Sequence, residues 1–276
     1  MLIPEEIRKC VFFLAYDGPG GALRPRATGF FVAIANENNT LHWVYAVTAA
    51  HCIKRAGSDI FIKVNSKEGS ARTIKTNQDQ WRIHETADVA LIGFDAEPWM
   101  DFKCLKQELF ASRSDVGIGD DIFIVGLFSK HAGSTKNIPI ARVGNIAALP
   151  EEPMKTSDQG NIDAYLIECR SIGGLSGSPV LVVTGPAYRV GESELAWNFS
   201  EIKIRLLGLI HGHWDTAASN IDVADDASDT LERINTGIAV VSPATAILDI
   251  LNSKDFVLSR ELDERKFETE NVPPNN

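Results

Sequence analysis

Residues 171–180 read SIGGLSGSPV, with three glycines, three serines and a proline in ten positions. Such a run is either a plain turn or a backbone cradle around one reactive hydroxyl, because glycines let consecutive N–H groups turn toward a single point. A serine hydroxyl is a weak nucleophile at neutral pH and needs a base within hydrogen-bond reach. The reading of Ser176 therefore depends on what else the chain supplies. Two other stretches bear on it. VTAAHC, 47–52, places His51 just after a buried strand, and HETADVALIGF, 84–94, places Asp88 at the mouth of another. Histidine suits a base whose pKa lies near the working pH. A carboxylate behind it orients the ring and stabilises the imidazolium.

The rest of the chain reads as β structure. CVFFLAY, TGFFVAIA, HWVYAVTAA, DIFIKV, VALIGF, DIFIVGLF, DAYLIEC, SPVLVVTG, LLGLIHGHW and GIAVVS are short runs rich in Val, Ile and Phe, separated by Gly, Pro, Asn and Asp clusters. Many short strands at near-regular spacing predict an all-β sandwich or barrel. Two helices are expected. One is a short turn in TAAHCIKRAG, and the other spans SPATAILDILNS, with Ser242 as N-cap, Pro243 at the first helical position and Ile247, Leu248 and Leu251 on one face. The segment 108–119 reads as a connector between two halves, and the last residues as a polar, solvated tail with at most a helical turn.

Composition narrows the partners. The 276-residue chain is 44% hydrophobic and 23% charged, with formal net charge −10, which is ordinary for a globular protein. The acidic surface argues against nucleic acid or an anionic membrane as partner. No run approaches the roughly 18 apolar residues that span a bilayer. The N-terminus is a poor signal peptide, with Glu5 and Glu6 where basic residues belong. A cytoplasmic location is expected. Cys10, Cys52, Cys104 and Cys169 form no CxxC pair and read as free buried thiols. His211 and His213 lie two apart on one strand face, but no third ligand is suggested, and the acidic residues 222–229 match no calcium-loop pattern. No metal and no cofactor are expected. His42, His84 and His131 read as surface or loop residues.

Taken together, TAAHC, ADVALI and GLSGSP resemble the histidine, aspartate and serine motifs of the trypsin-like, chymotrypsin-fold serine peptidases, in the family's order. GLSGSP departs at one position, with Ser178 for a glycine. LLGLIHG is similar to the strand after the nucleophile, and TGIAVVSPATAIL to the closing strand and C-terminal helix, so the likeness runs from about Cys10 to Asn252. The resemblance implies two six-stranded antiparallel β-barrels with a C-terminal helix. It divides the chain into residues 1–110, carrying His51 and Asp88; residues 111–252, carrying Ser176 and the helix; and a polar tail, 253–276. It implies hydrolysis of protein or peptide substrates through an acyl-enzyme on Ser176, with the N–H groups of Gly174 and Ser176 as oxyanion hole. Arg170, His211, Gly212, His213 and Gly237 are implied as substrate-binding.

Arg170, six before the nucleophile, is at the position the family uses for the pocket base. It either pairs with an acidic P1 side chain or faces solvent or Glu168. Leu175 replaces the aspartate that the secreted members use in activation, and no cysteine partner precedes Cys52. Both departures resemble bacterial intracellular members. A cytoplasmic peptidase with no propeptide implies narrow specificity or a regulatory protein partner. The competing expectation is a catalytically inactive peptidase fold used as a binding module. The α/β-hydrolase alternative needs Gly-x-Ser-x-Gly and the order Ser, Asp, His, which this chain does not have.

Overall fold

Whether a strand's apolar residues alternate or run on depends on whether one or both of its faces are covered. A computed structural model of the chain describes residues 3–17, 22–156, 160–169, 174–184, 187–190, 194–197, 203–217 and 233–270. The expected positions Arg170 and Ser171–Gly173, the side chain of His213, the acidic residues 222–229 and the terminal residues 271–276 lie outside the described residues.

After a short helix α1 (Glu5–Lys9), the N-terminal half is one curled sheet of β1 (Val11–Asp17), β2 (Leu23–Ala35), β3 (His42–Thr48), β4 (Asp59–Asn65), β5 (Ala71–Asn77), β6 (Arg82–Ile83), β7 (Ala90–Gly93) and β8 (Leu105–Lys106). The path runs β5-β4-β1-β2-β3-β7-β6, with β8 parallel beside β2. Phe12, Phe13 and Leu14 are all fully buried, so central β1 is covered on both faces. In β4 only Ile60, Ile62 and Val64 are buried, which leaves one face toward the surface. Gly29 pairs with Phe12 across β1 and β2, and a Cβ there would lie 2.2 Å from the Phe12 ring. The glycine makes room for the aromatic.

The C-terminal half is a closed six-stranded barrel, β10-β13-β18-β17-β14-β9. It is built from β9 (Asp121–Gly126), β10 (Ile140–Ala148), β13 (Tyr165–Glu168), β14 (Pro179–Thr184), β17 (Lys203–Ala217) and β18 (Arg233–Pro243). Two small hairpins lie outside it, β11 (Met154–Thr156) with β12 (Gly160–Ile162), and β15 (Ala187–Val190) with β16 (Glu194–Trp197). The arrangement is that of the chymotrypsin-like double barrel, with one difference from the expected six-plus-six. The N-terminal sheet has eight strands and ends on β5 and on two-residue β6 instead of closing. The connector is stitched to the C-terminal barrel by Ala111 N–H donating to Leu206 C=O at 2.9 Å. One apolar cluster runs from Phe12, Phe30 and Phe31 of the sheet to Phe123, Leu181 and Leu209 of the barrel, so the two halves share a core.

Two helices close the chain where one and a tail are expected. The first, α3 (Ala244–Leu251), begins one residue late, with Pro243 as its cap, and buries Ile247 and Leu251. The second, α4 (Lys254–Glu270), occupies the stretch read as a solvated tail. Its inward face is polar and aromatic: Phe256 meets Tyr45 edge-on, Arg260 donates to the Tyr45 hydroxyl and to Leu251 C=O, and Asp263 accepts from Trp43 Nε1. These residues share one helical face at four- and three-residue spacing. Because only one of them is apolar, hydropathy alone does not reveal the helix. Among the described residues, no helix is long and apolar enough to cross a membrane.

Candidate active site

The register of β3 against β7 brings the first two candidate residues together. Thr48 pairs with Ala90, so the chain leaving β3 and the chain entering β7 lie side by side. His51 lies just beyond one strand and Asp88 just before the other. His51 is carried on α2 (Ala50–Lys54), whose N-cap Ala49 and first residue Ala50 are buried. Tyr16 fixes this turn from β1, its hydroxyl donating to Cys52 C=O at 2.8 Å.

Asp88 is fully buried and takes two bonds from His51, one from the backbone N–H to Oδ1 at 2.8 Å and one from Nδ1 to Oδ2 at 2.6 Å. In the neutral ring the carboxylate favours the tautomer with the proton on Nδ1, which leaves the Nε2 lone pair able to accept a proton. Burial opposes charge on both groups, and their pairing outweighs it. Burial disfavours the His51 imidazolium, but the Asp88 bond, the Cys52 contact and the Asp88 charge raise its pKa well above the ordinary histidine range. Burial likewise pushes the Asp88 carboxyl up, but the His51 bond and the charges of His51 and His211 hold it below the usual carboxylate range.

His84, read as a surface or loop residue, clamps the loop that delivers Asp88. Its Nδ1 accepts from the N–H groups of Thr86 and Ala87 at 3.1 and 2.9 Å, and its backbone N–H donates to Val89 C=O. The sequence carries only a weak signal for this, a histidine four before the aspartate.

Ser176 lies in a turn held by main-chain bonds. Ser178 N–H donates to Leu175 C=O, and Gly177 N–H to Ile210 C=O of β17, both at 2.8 Å. Gly177 has φ +79, and a Cβ there would lie 2.3 Å from both Thr28 O and Thr48 Oγ1 and 2.9 Å from Ala49 N. The turn therefore rests against the segment that leads into His51. Gly174 also has positive φ, +104. Among the described residues the N–H groups of Gly174 and Ser176 donate to no backbone acceptor.

Sequence reasoning did not single out Thr28, and it is the residue that joins this turn to the N-terminal sheet. Fully buried on β2, it uses every polar group it has. Its N–H donates to Ser176 C=O at 3.0 Å, and its Oγ1 donates to Gly174 C=O at 2.8 Å while accepting from Leu127 N–H at 2.9 Å. Its C=O accepts from Thr48 Oγ1 at 2.7 Å. A polar residue in an otherwise apolar strand run was the one available sign.

Not every expected contact is present. Among the described residues Ser176 Oγ forms no hydrogen bond with His51, whose Nε2 lies 3.4 Å from Cys52 Sγ. Such bonds are often loose before substrate arrives. Of the expected substrate-binding residues, His211 lies with Nδ1 3.3 Å from Asp88 Oδ2. Gly212 pairs with Val240 in the barrel wall, and Gly237, at φ +82, accepts from Cys169 N–H. Ser178 is fully buried with its hydroxyl unpartnered among the described residues. All four cysteines are free, and burial raises the Cys10 and Cys104 thiols to about 12 and that of Cys169 to about 11. None of those three is a ready nucleophile.

Comparison with known proteins gives one family. The family model described as a trypsin-like peptidase domain matches residues 27–187. Among solved structures, Deg5 aligns at 10% identity over 89% of this chain and 88% of its own, with TM-score 0.49. The structure titled HBP aligns at 14% identity over 100% and 97%, with TM-score 0.49. Kallikrein-related peptidase 10 aligns at 13% identity over 91% and 97%, with TM-score 0.48. No curated protein matches the chain.

Proposed function

Because this chain belongs to the trypsin-like peptidase family, whose model matches residues 27–187, we propose that it is a serine endopeptidase with His51, Asp88 and Ser176 as its triad. The observation that carries the reading is the paired His51 and Asp88 set against a glycine turn that has Ser176 at its apex. In the reaction His51 Nε2 takes the Ser176 Oγ proton as the Oγ–carbon bond forms. The N–H groups of Gly174 and Ser176 stabilise the oxyanion, and His51 returns the proton to the leaving amine as the C–N bond breaks. Water then repeats the cycle on the acyl-enzyme. Residues 1–110 are the unit that supplies base and carboxylate, residues 111–252 the unit that supplies nucleophile and oxyanion hole. Substrates are proteins or peptides. Arg170 is assigned to an acidic P1 side chain, and control falls to narrow specificity or a regulatory protein partner.

The test is hydrolysis of a peptide library by the full chain and by Ser176→Ala. Cleavage that Ser176→Ala abolishes upholds the reading, and better cleavage after Arg than after Glu removes the acidic-P1 assignment. The contact of His51 Nε2 with Cys52 favours a second reading, an inactive peptidase fold that binds without cleaving. A folded protein with no hydrolysis of any library member would establish that one.

A further inference from the structure

An arginine occupies an inward position of the C-terminal barrel. In β10 the register sets Ile146 against Ile167, Gly144 against Ile122 and Arg142 against Ile124. Those four isoleucines are fully buried in the barrel core. Cross-strand partners share a face, so Arg142 faces inward with them. Ile124 lies between Arg142 on β10 and Val180 on β14. The Arg142 charge also acts on the thiol of Cys169, just beyond β13, where it opposes the upward push of burial. Arg142 Nε is fully buried and has no hydrogen-bond partner, and among the described residues the guanidinium forms no ion pair. An arginine whose stem merely covers core keeps its guanidinium in water. A buried, unpaired N–H on a cation costs free energy that such a role does not explain.

Arg142 stands at the end of the barrel that carries the candidate nucleophile turn. Two residues along β9 from Ile124, Gly126 abuts that turn, and a Cβ there would lie 2.0 Å from Ser178 Oγ. Leu175, beside Ser176, is buried in the same cluster as Ile124 and Cys169. At 3.3 Å per residue and 4.8 Å between strands, the Arg142 backbone is about 8 Å from that of Gly126. An arginine and a substrate carboxylate reaching toward each other span that distance. We propose that Arg142 is a specificity-determining residue that receives an acidic P1 side chain from inside the barrel. This rests on the peptidase reading above and deepens it, by giving its substrate class a residue distinct from Arg170. A guanidinium offers a carboxylate two parallel N–H groups and a counter-charge, and a neutral amide supplies neither the charge nor the second acceptor. An acidic side chain thus satisfies the group that the free protein leaves unpaired. A neutral one leaves it unpaired and is penalised.

The full chain is compared with Arg142→Met and Arg142→Lys on peptides that differ only at P1. In the unaltered chain kcat/KM is expected to be about 100-fold higher for Glu than for Gln. Arg142→Met should bring Glu down to the Gln level and leave Gln within about 3-fold. Arg142→Lys should recover part of the loss, since an ammonium supplies charge without the fork. A thermal melt is the second readout, because removal of an unpaired buried cation should leave Tm unchanged or raised. The third is Kd for the same peptides in Ser176→Ala with and without Arg142→Met, which needs no hydrolysis. An equal Glu-to-Gln ratio in Arg142→Met and the unaltered chain overturns the inference and leaves the peptidase reading standing. So does a fall in Tm of more than about 5 °C in Arg142→Met, the mark of a structural partner. Glu-selective binding that Arg142→Met removes, in a chain that hydrolyses nothing, upholds the role of Arg142 and overturns the peptidase reading instead.

Discussion

The His51–Asp88 part of the candidate site and the Ser176 part are held by different means. Around His51 the bonds come largely from side chains: both Asp88 oxygens, His84 Nδ1 and the Tyr16 hydroxyl. Around Ser176 they come largely from the main chain, with positive-φ glycines where a Cβ has no room and the buried side chain of Thr28 as the main exception. The two kinds of construction are expected to fail differently. On the His51 side a substitution removes a chemical group and leaves the fold in place. On the Ser176 side a substitution that needs space moves the backbone and affects stability along with activity.

The largest effect expected on the His51 side is that of His51→Ala, about 10⁵-fold or more in kcat. Asp88→Asn is expected to cost about 10⁴-fold, because the amide favours the wrong tautomer of His51. Steady-state kinetics beside a thermal melt separates these from unfolding, and a drop in Tm larger than that of Gly177→Ala for either would break the comparison. On the other side Gly177→Ala is expected to destabilise the protein by about 3 kcal/mol, from a disfavoured φ and a collision with backbone atoms. Urea unfolding reads this directly. Thr28→Val keeps the shape but leaves Gly174 C=O and Leu127 N–H without their partner, at a cost of about 2 kcal/mol and about 10-fold in kcat. Thr28→Ser should restore both. The smallest effect is expected at Ser178→Ala, which removes a buried hydroxyl with no partner among the described residues and should be neutral or stabilising by up to about 1 kcal/mol.

The acid limb of the kcat/KM profile follows from the raised His51 pKa. With His51 as the proposed base, activity should rise with pH through a midpoint above the ordinary imidazole value of about 6.5. The stability linkage has two sides. The contribution from the raised His51 pKa is full below the unfolded value and fades as pH rises through the folded one. The contribution from the lowered Asp88 pKa is full above its unfolded value and fades as pH falls through the folded one. A pH titration of Asp88→Asn in denaturant should lose both contributions together.

Much of the fold is legible because the strand runs in both halves carry their own period and their own turn residues. The short turn at TAAHC and the apolar stripe of α3 are legible for the same reason. The open edge of the N-terminal sheet is not, since β6 and β8 are two-residue pairings fixed by tertiary contact. Nor is α4, whose docking face uses Arg260 and Asp263 where hydropathy looks for leucine. Of the candidate site, His51, Asp88 and Ser176 are proposed from motif order, and the structure pairs the first two. Thr28 and His84 belong to no such motif, because they act through backbone groups that are distant in sequence or that leave no side-chain pattern. The contact of His211 with Asp88 depends on how β17 docks against the N-terminal half, and no local pattern encodes it.

The central claim is that Ser176 is the nucleophile and His51 its base. Its most direct measurement is mass spectrometry of the full chain after treatment with a fluorophosphonate, with the adduct mapped by peptide. A single adduct on Ser176 that is lost in His51→Ala is the predicted result. An adduct on Ser178, or none on a folded protein, would contradict it.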